Sequence, residues 1–172
     1  MNNVYVKHTV AFILLYVAQI FLLDKVALWG FVTPMIYILF ILSLPFDTPN
    51  WLMVVLGFAA GLIMDSFTGS LGMHALSLMT IAFMRKWVIT VIPFYGEKEP
   101  HLQPKLYDMK FVWYLQYTFL LTLIHHAIYY FVDAMSLKHF GHTLWVILVN
   151  TLFTVIAIFI VQAIFYKPSK RY

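Results

Sequence analysis

Gly57-Phe58-Ala59-Ala60-Gly61-Leu62-Ile63-Met64-Asp65 opens the stretch on which the fold turns, and Leu71-Gly72-Met73-His74-Ala75 and Phe83-Met84-Arg85 continue it. Gly57, Gly61 and Asp65 are spaced by four, so on a helix they stack along one face. Two glycines at that spacing admit a second helix to close approach in lipid. The acid follows one turn later on the same face. This face predicts a packing notch, filled by another helix of the chain or by a partner. Gly69 and Gly72 lie between two apolar runs and are predicted to be turn residues with positive φ.

Composition says what surrounds that stretch. The chain has 172 residues, 63% hydrophobic and 10% charged, with a mean hydropathy of +0.86. Soluble domains are about half apolar and about a quarter charged. A core of this size cannot hide so much apolar surface, so a bilayer is the expected solvent. The apolar runs are continuous and do not alternate with period two, which predicts helices and excludes a barrel. The absence of cysteine excludes disulfides, haem thioether links and thiolate metal sites.

Six apolar spans are predicted, at about 5–23, 26–44, 51–67, 71–92, 111–132 and 143–166, in one domain covering 1–172. The first is not expected to be a cleaved signal peptide, because Gln19, Asp24 and Lys25 follow without a small-x-small site. Pro34 can kink the second span, and Asn50 is placed to cap the third. The loop 93–110 and the tail 167–172 are polar. With the N-terminus inside, Lys7, Arg85, Lys86, Lys98, Lys105, Lys110, Lys167, Lys170 and Arg171 fall on the inner side. Only Lys25 and Lys138 fall on the outer side. The positive-inside rule then predicts both termini in the cytoplasm. Trp29, Trp51, Trp87, Trp113 and Trp145 fall near span ends, as interfacial aromatics do.

Depth follows from helix rise. From Trp51 to Asp65 is about 21 Å, which puts Asp65 at the outer edge of the hydrocarbon, open to an extracytoplasmic partner or an outer pocket. Arg85 lies at the opposite end of the hairpin, so no ion pair between them is expected. Arg85 and Lys86 are expected to snorkel to the inner headgroups. In the fifth span Thr118, Thr122, His125, Tyr129 and Asp133 form a polar stripe, with His126 and Tyr130 beside it. Gln19, His74, Ser77, Asn150 and Thr151 share the outer half. Polar groups in lipid face other helices or a cavity, so these residues are expected to converge on an interior patch open to the outside.

Reactive chemistry finds little support. Seven histidines invite a metal hypothesis. Yet His125 and His126 are adjacent and face different sides of a helix, His139 and His142 lie in a loop, and no HExxH occurs. Hydrogen bonds across helices are the expected histidine role. Ser66 and Ser77 have no matching base, Asp65 has no second membrane acid, and no phosphate-cradling glycine loop is present. The basic residues are scattered at span ends, which does not suit nucleic acid. The expectation is a protein without enzymatic activity, cofactor or metal.

Taken together, Gly57-x-x-x-Gly61-Leu62-x-x-Asp65, Leu71-Gly72-x-His74-Ala75 and Phe83-x-Arg85 resemble the core of the rod shape-determining MreD family. Length, six spans, short second loop and basic tail resemble that family across essentially the whole chain. The histidine pair, the aromatic-rich spans and the long loop 93–110 depart from its pattern. The resemblance implies a multi-pass, non-enzymatic scaffold of the bacterial inner membrane. Such a scaffold binds MreC and helps connect MreB filaments with the RodA glycosyltransferase and its penicillin-binding transpeptidase during peptidoglycan synthesis. It also implies an all-α bundle of six transmembrane helices, N-in and C-in, similar to the S components of energy-coupling-factor vitamin transporters. Gly57, Gly61, Asp65, Gly72, His74 and Arg85 would then serve helix packing or partner binding. Gln19, His125, His126, Tyr129 and Asn150 would form the outer-half polar patch. The rival reading is a vitamin-binding S component. That reading expects small residues at i and i+4 in the first span, whereas Ala11 and Ala18 are seven apart with Leu15 between, which favours the scaffold.

Overall fold

A computed structural model describes residues 2–25, 30–93, 103–135 and 138–165. Trp29, residues 94–102 of the 93–110 loop and the basic tail lie outside these residues. All regular elements among the described residues are helical: α1 (Asn2–Phe21), α2 (Leu39–Leu42), α3 (Asn50–Thr68), α4 (Met73–Val91), α5 (Phe111–Ala134) and α6 (Phe140–Phe165). Short 3-10 turns at Leu23–Lys25 and Ile36–Ile38 follow α1 and lead into α2. Two of the helices, Asn50–Thr68 and Phe140–Phe165, are long and apolar enough to cross a membrane. α3 packs most closely on α4, followed by α4 on α5 and α5 on α6.

The second predicted span takes a different form. Residues 31–35 are non-helical, and only 36–42 coil, first as a 3-10 turn and then as α2. Pro34 cannot donate a backbone hydrogen bond and disfavours a helical residue before it. Val32, Tyr37, Ile38, Leu39, Ile41 and Leu42 are fully buried. A segment apolar on all sides belongs in the middle of a bundle, and this one forms its centre. Asn50 also departs from expectation. It is the first residue of α3, Pro49 holds the N-cap position, and no side chain caps that helix.

The surface is apolar, and polar side chains are buried among the apolar ones of the core. On α6, Leu144, Leu148, Leu152, Ile156, Ile160 and Ile164 form an exposed ridge of period four, while Asn150, Thr151, Thr154 and Gln162 are fully buried. α5 likewise exposes Phe111, Val112, Leu115 and Phe119 and buries Thr118, Thr122, His125 and His126. Trp51, Trp87 and Trp145 are exposed. Trp113 is not: it lies inside, stacked on Tyr117 with ring centroids 5.1 Å apart, because its position on α5 faces the core.

Candidate functional site

The buried polar groups fall into three clusters, each attached to a helix end or to the non-helical segment. The first is the tip of the α3–α4 hairpin. A Cβ on Gly61 would sit inside contact distance of the Ala75 backbone, and one on Gly57 would lie 2.9 Å from the Leu78 carbonyl oxygen. The glycine face is therefore filled by α4 of the same chain. Gly69 ends α3 at φ 71° and Gly72 precedes α4 at φ 88°, the left-handed conformation that glycine adopts at little cost. Gly72 has no side chain with which to cap α4. Asp65 supplies that cap from the preceding helix, one oxygen accepting the His74 N–H at 3.0 Å and the other the Ala75 N–H at 2.9 Å. The Ser70 hydroxyl donates to the same carboxylate at 2.6 Å. These amides belong to the first turn of α4, which has no intrahelical acceptor, and a carboxylate there is also favoured by the helix dipole. The expected availability of Asp65 to an outside partner is thereby corrected. Its side chain is buried and both oxygens are engaged.

The second cluster lies at the other end of the hairpin. Arg85 is buried, 1% exposed, and does not snorkel. Its Nε donates to the Tyr117 hydroxyl at 2.7 Å, and one terminal nitrogen contacts the Pro45 carbonyl at 3.3 Å and the Met53 sulfur at 3.0 Å. The other donates to the Leu44 carbonyl. Tyr117 in turn donates to the Leu42 carbonyl at 2.9 Å. Arg85 and Tyr117 together satisfy the carbonyls left open where α2 ends, a task suited to the rigid guanidinium fork. Lys86 remains exposed.

The third cluster holds the non-helical segment. The Gln19 side chain accepts from the Ile36 N–H at 2.8 Å and donates to the Pro34 carbonyl at 3.1 Å and to Asp24 at 2.6 Å. Asn150 accepts from the Thr33 N–H at 2.9 Å and donates to the Phe31 carbonyl at 3.1 Å. Thr154 accepts from the Met35 N–H at 3.0 Å. Non-helical backbone buried inside a helical bundle requires such partners, since its N–H and C=O groups are cut off from water. Asp24 lies just beyond α1, and its partial burial raises the carboxyl pKa, against the opposing Gln19 hydrogen bond and the Lys25 charge.

The histidines complete this cluster. The His126 Nδ1 lies 2.8 Å from the Thr122 carbonyl oxygen, which can only accept, so Nδ1 carries the proton. Its Nε2 then accepts from the Thr154 hydroxyl at 3.3 Å. The Tyr37 hydroxyl bridges His74 Nδ1 at 2.6 Å and His125 Nε2 at 2.9 Å. It has one proton, so one ring accepts from it and the other donates to it. Tyr129 stands over both rings, 4.7 Å from His74 and 6.5 Å from His125 between centroids. Among the described residues no group of three or more His, Cys, Asp or Glu could hold a metal ion.

Gln19, His74, His125, His126 and Asn150 are thus all buried inside the bundle, and Tyr129 is partly covered. Gln19, Asn150 and His126, acting through Thr154, serve the segment 31–36, while His74 and His125 serve Tyr37. The sequence assigns no role to Tyr37, Tyr117, Thr154 or Ser70. Tyr37 and Tyr117 read as two more aromatics among eleven tyrosines, and only the broken helix gives them partners. Pro34 was the available signal, since a proline within an apolar span leaves backbone groups that some side chain must satisfy. No protein family, curated protein or solved structure matches the chain.

Proposed function

We propose that the chain is a multi-pass, non-enzymatic protein of the bacterial inner membrane that acts as a scaffold of the cell-elongation machinery, in the manner of MreD. The observation that carries this reading is the use to which the resembling residues are put. Gly57, Gly61, Asp65, Gly72, His74 and Arg85 all build or brace one helical hairpin and the segment threaded beside it. A signature spent on making one rigid body suits a docking platform. A catalytic signature would instead converge on a cavity. The apolar exterior, with polar side chains buried away from it, favours a bilayer as surroundings, and the lysine and arginine distribution favours both termini in the cytoplasm. MreC is the direct partner, with MreB, RodA and the transpeptidase reached directly or through it.

The vitamin-binding alternative is less well supported, because Gln19 and Asn150, two of the outer-half polar side chains that would line a ligand pocket, have both their oxygen and their nitrogen committed to hydrogen bonds inside the fold. The test is co-purification from detergent extracts of tagged protein with MreC, set beside the coupling subunit of an energy-coupling-factor transporter. Retention of MreC is expected. Retention of the coupling subunit alone would overturn the scaffold reading.

A further inference from the structure

At the end of the bundle where α4 finishes and α3 begins, a cavity of about 440 Å³ is lined by Asp47, Asn50, Met53, Arg85, Lys86 and Thr90, among others. That volume lies in the range of roughly 300–1,000 Å³ typical of ligand sites. Its charged lining is net positive. Arg85 lines the cavity from inside the bundle, and its partners are a hydroxyl, two carbonyls and a thioether, all uncharged. No carboxylate among the described residues pairs with its charge. Lys86 adds a second cation from the exposed side, and Asp47 is the acid among the lining residues, so the lining carries a net charge of +1. The first turn of α3, a helix of 19 residues, has no side-chain cap, and its leading residue Asn50 lines the same space.

The surroundings are those of a membrane interface. Trp51 and Trp87, next in sequence to Asn50 and Lys86, are 69% and 65% exposed, and Val91 is 75% exposed. An occupant of this cavity would meet the apolar side chains of Phe46, Met53 and Ile89 together with the cationic Arg85 and Lys86.

We propose that this cavity binds the singly charged phosphodiester of an anionic phospholipid headgroup. Lys86 supplies charge-assisted donors to phosphate oxygens, and Arg85, with four of its five N–H groups engaged in the fold, adds chiefly its positive charge. Asn50 and Thr90 stand where a headgroup hydroxyl would reach. The flanking indoles contact the acyl chains, as interfacial tryptophans do. The inference shares with the scaffold reading only its placement in a membrane. Loss of MreC capture would leave it standing, and failure of lipid binding would leave the scaffold standing.

The test is calorimetric titration of the full-length protein in a neutral detergent with dihexanoyl phosphatidylglycerol, dihexanoyl phosphatidylcholine and inorganic phosphate. Saturable binding of phosphatidylglycerol is expected, tighter than that of the other two. Lys86→Gln should weaken it about fivefold and Lys86→Glu about thirtyfold, at about one unit of interfacial charge attraction per cation. Lys25→Glu, the same charge change away from the cavity, should leave it unchanged. Arg85 is left intact because it holds the end of α2, whereas Lys86 is exposed and a melt confirms that its variants fold. Equal binding of phosphatidylcholine would overturn the proposal. So would inorganic phosphate binding as tightly as phosphatidylglycerol, which would make the site one for a soluble anion, or an equal loss in Lys25→Glu.

Discussion

Removing the Asp65 carboxylate should unlatch the α3–α4 hairpin. In Asp65→Ala the N–H groups of His74 and Ala75 and the Ser70 hydroxyl all lose their acceptor. Loss of an N-cap side chain costs about 0.5–2 kcal/mol, and each buried donor left unsatisfied costs about 1–3 kcal/mol. Asp65 lies near the rim of the bundle, 9% exposed, so water reaches part of the vacated site and the terms do not add in full. A net loss of about 2–4 kcal/mol follows. For a chain of this size that lowers the apparent melting midpoint by roughly 10 °C. Asp65→Asn keeps one acceptor oxygen but turns an amide N–H₂ toward an amide donor, so about half that loss is expected. Ser70→Ala removes one hydroxyl and should cost about 1 kcal/mol. The assay is a melt of purified protein in detergent, read by tryptophan fluorescence and by the fraction remaining monodisperse. The graded order, alanine worst and Ser70→Ala mildest, is the signature of a cap. An Asp65→Ala protein that melts with the parent but no longer retains its partner would refute the reasoning and return the acid to a docking role.

Other substitutions probe the remaining clusters. Gly61→Ala should lower folded yield sharply, because its Cβ meets the Ala75 backbone, whereas Gly57→Ala, facing the Leu78 carbonyl oxygen at 2.9 Å, should be milder; folded yield from membranes checks both. Arg85→Lys keeps the charge but loses the fork that reaches Tyr117, Leu44 and Pro45 together. A cost of about 2 kcal/mol is expected in the same melt. Tyr37→Phe removes the hydroxyl shared by His74 and His125 and should cost about 1–3 kcal/mol while shifting the ring resonances of both histidines in NMR spectra of labelled protein. Asn150→Leu frees the Thr33 N–H and the Phe31 carbonyl. Faster hydrogen exchange should follow at Thr33, with little change along α3.

The hairpin was the most legible part of the chain. Its glycines are close in sequence, and both the notch at Gly61 and the turn at Gly69 and Gly72 express backbone geometry that glycine alone permits. The ends of α3, α4 and α5 fall within about two residues of the predicted spans, the usual uncertainty of helix ends. Arg85 was the residue most misread. A cation near a span end is as consistent with a lipid headgroup as with a helix end inside the protein, and nothing local to Arg85 distinguishes the two. The acceptors that decided it, the Leu44 and Pro45 carbonyls, lie about forty positions away. The same holds for Asn150, whose backbone partner Thr33 is 117 positions distant.

By itself the sequence determined that this chain is a bundle of apolar helices, with a glycine-notched hairpin at 57–85 and polar side chains turned from its surface. These properties repeat every few residues along one helix, so a local pattern suffices to specify them. Only the tertiary structure decided that residues 31–42 of the second apolar run form a non-helical stretch and a short helix at the core. It also decided that Gln19, Asn150, Thr154, Tyr117 and Arg85 are spent on that segment's backbone, and that Asp65 caps its neighbour and is closed to partners. A buried polar group must find a hydrogen-bonding partner, and which partner it finds depends on where distant segments pass. That is set by the packing of the whole bundle and is written at no single place in the chain.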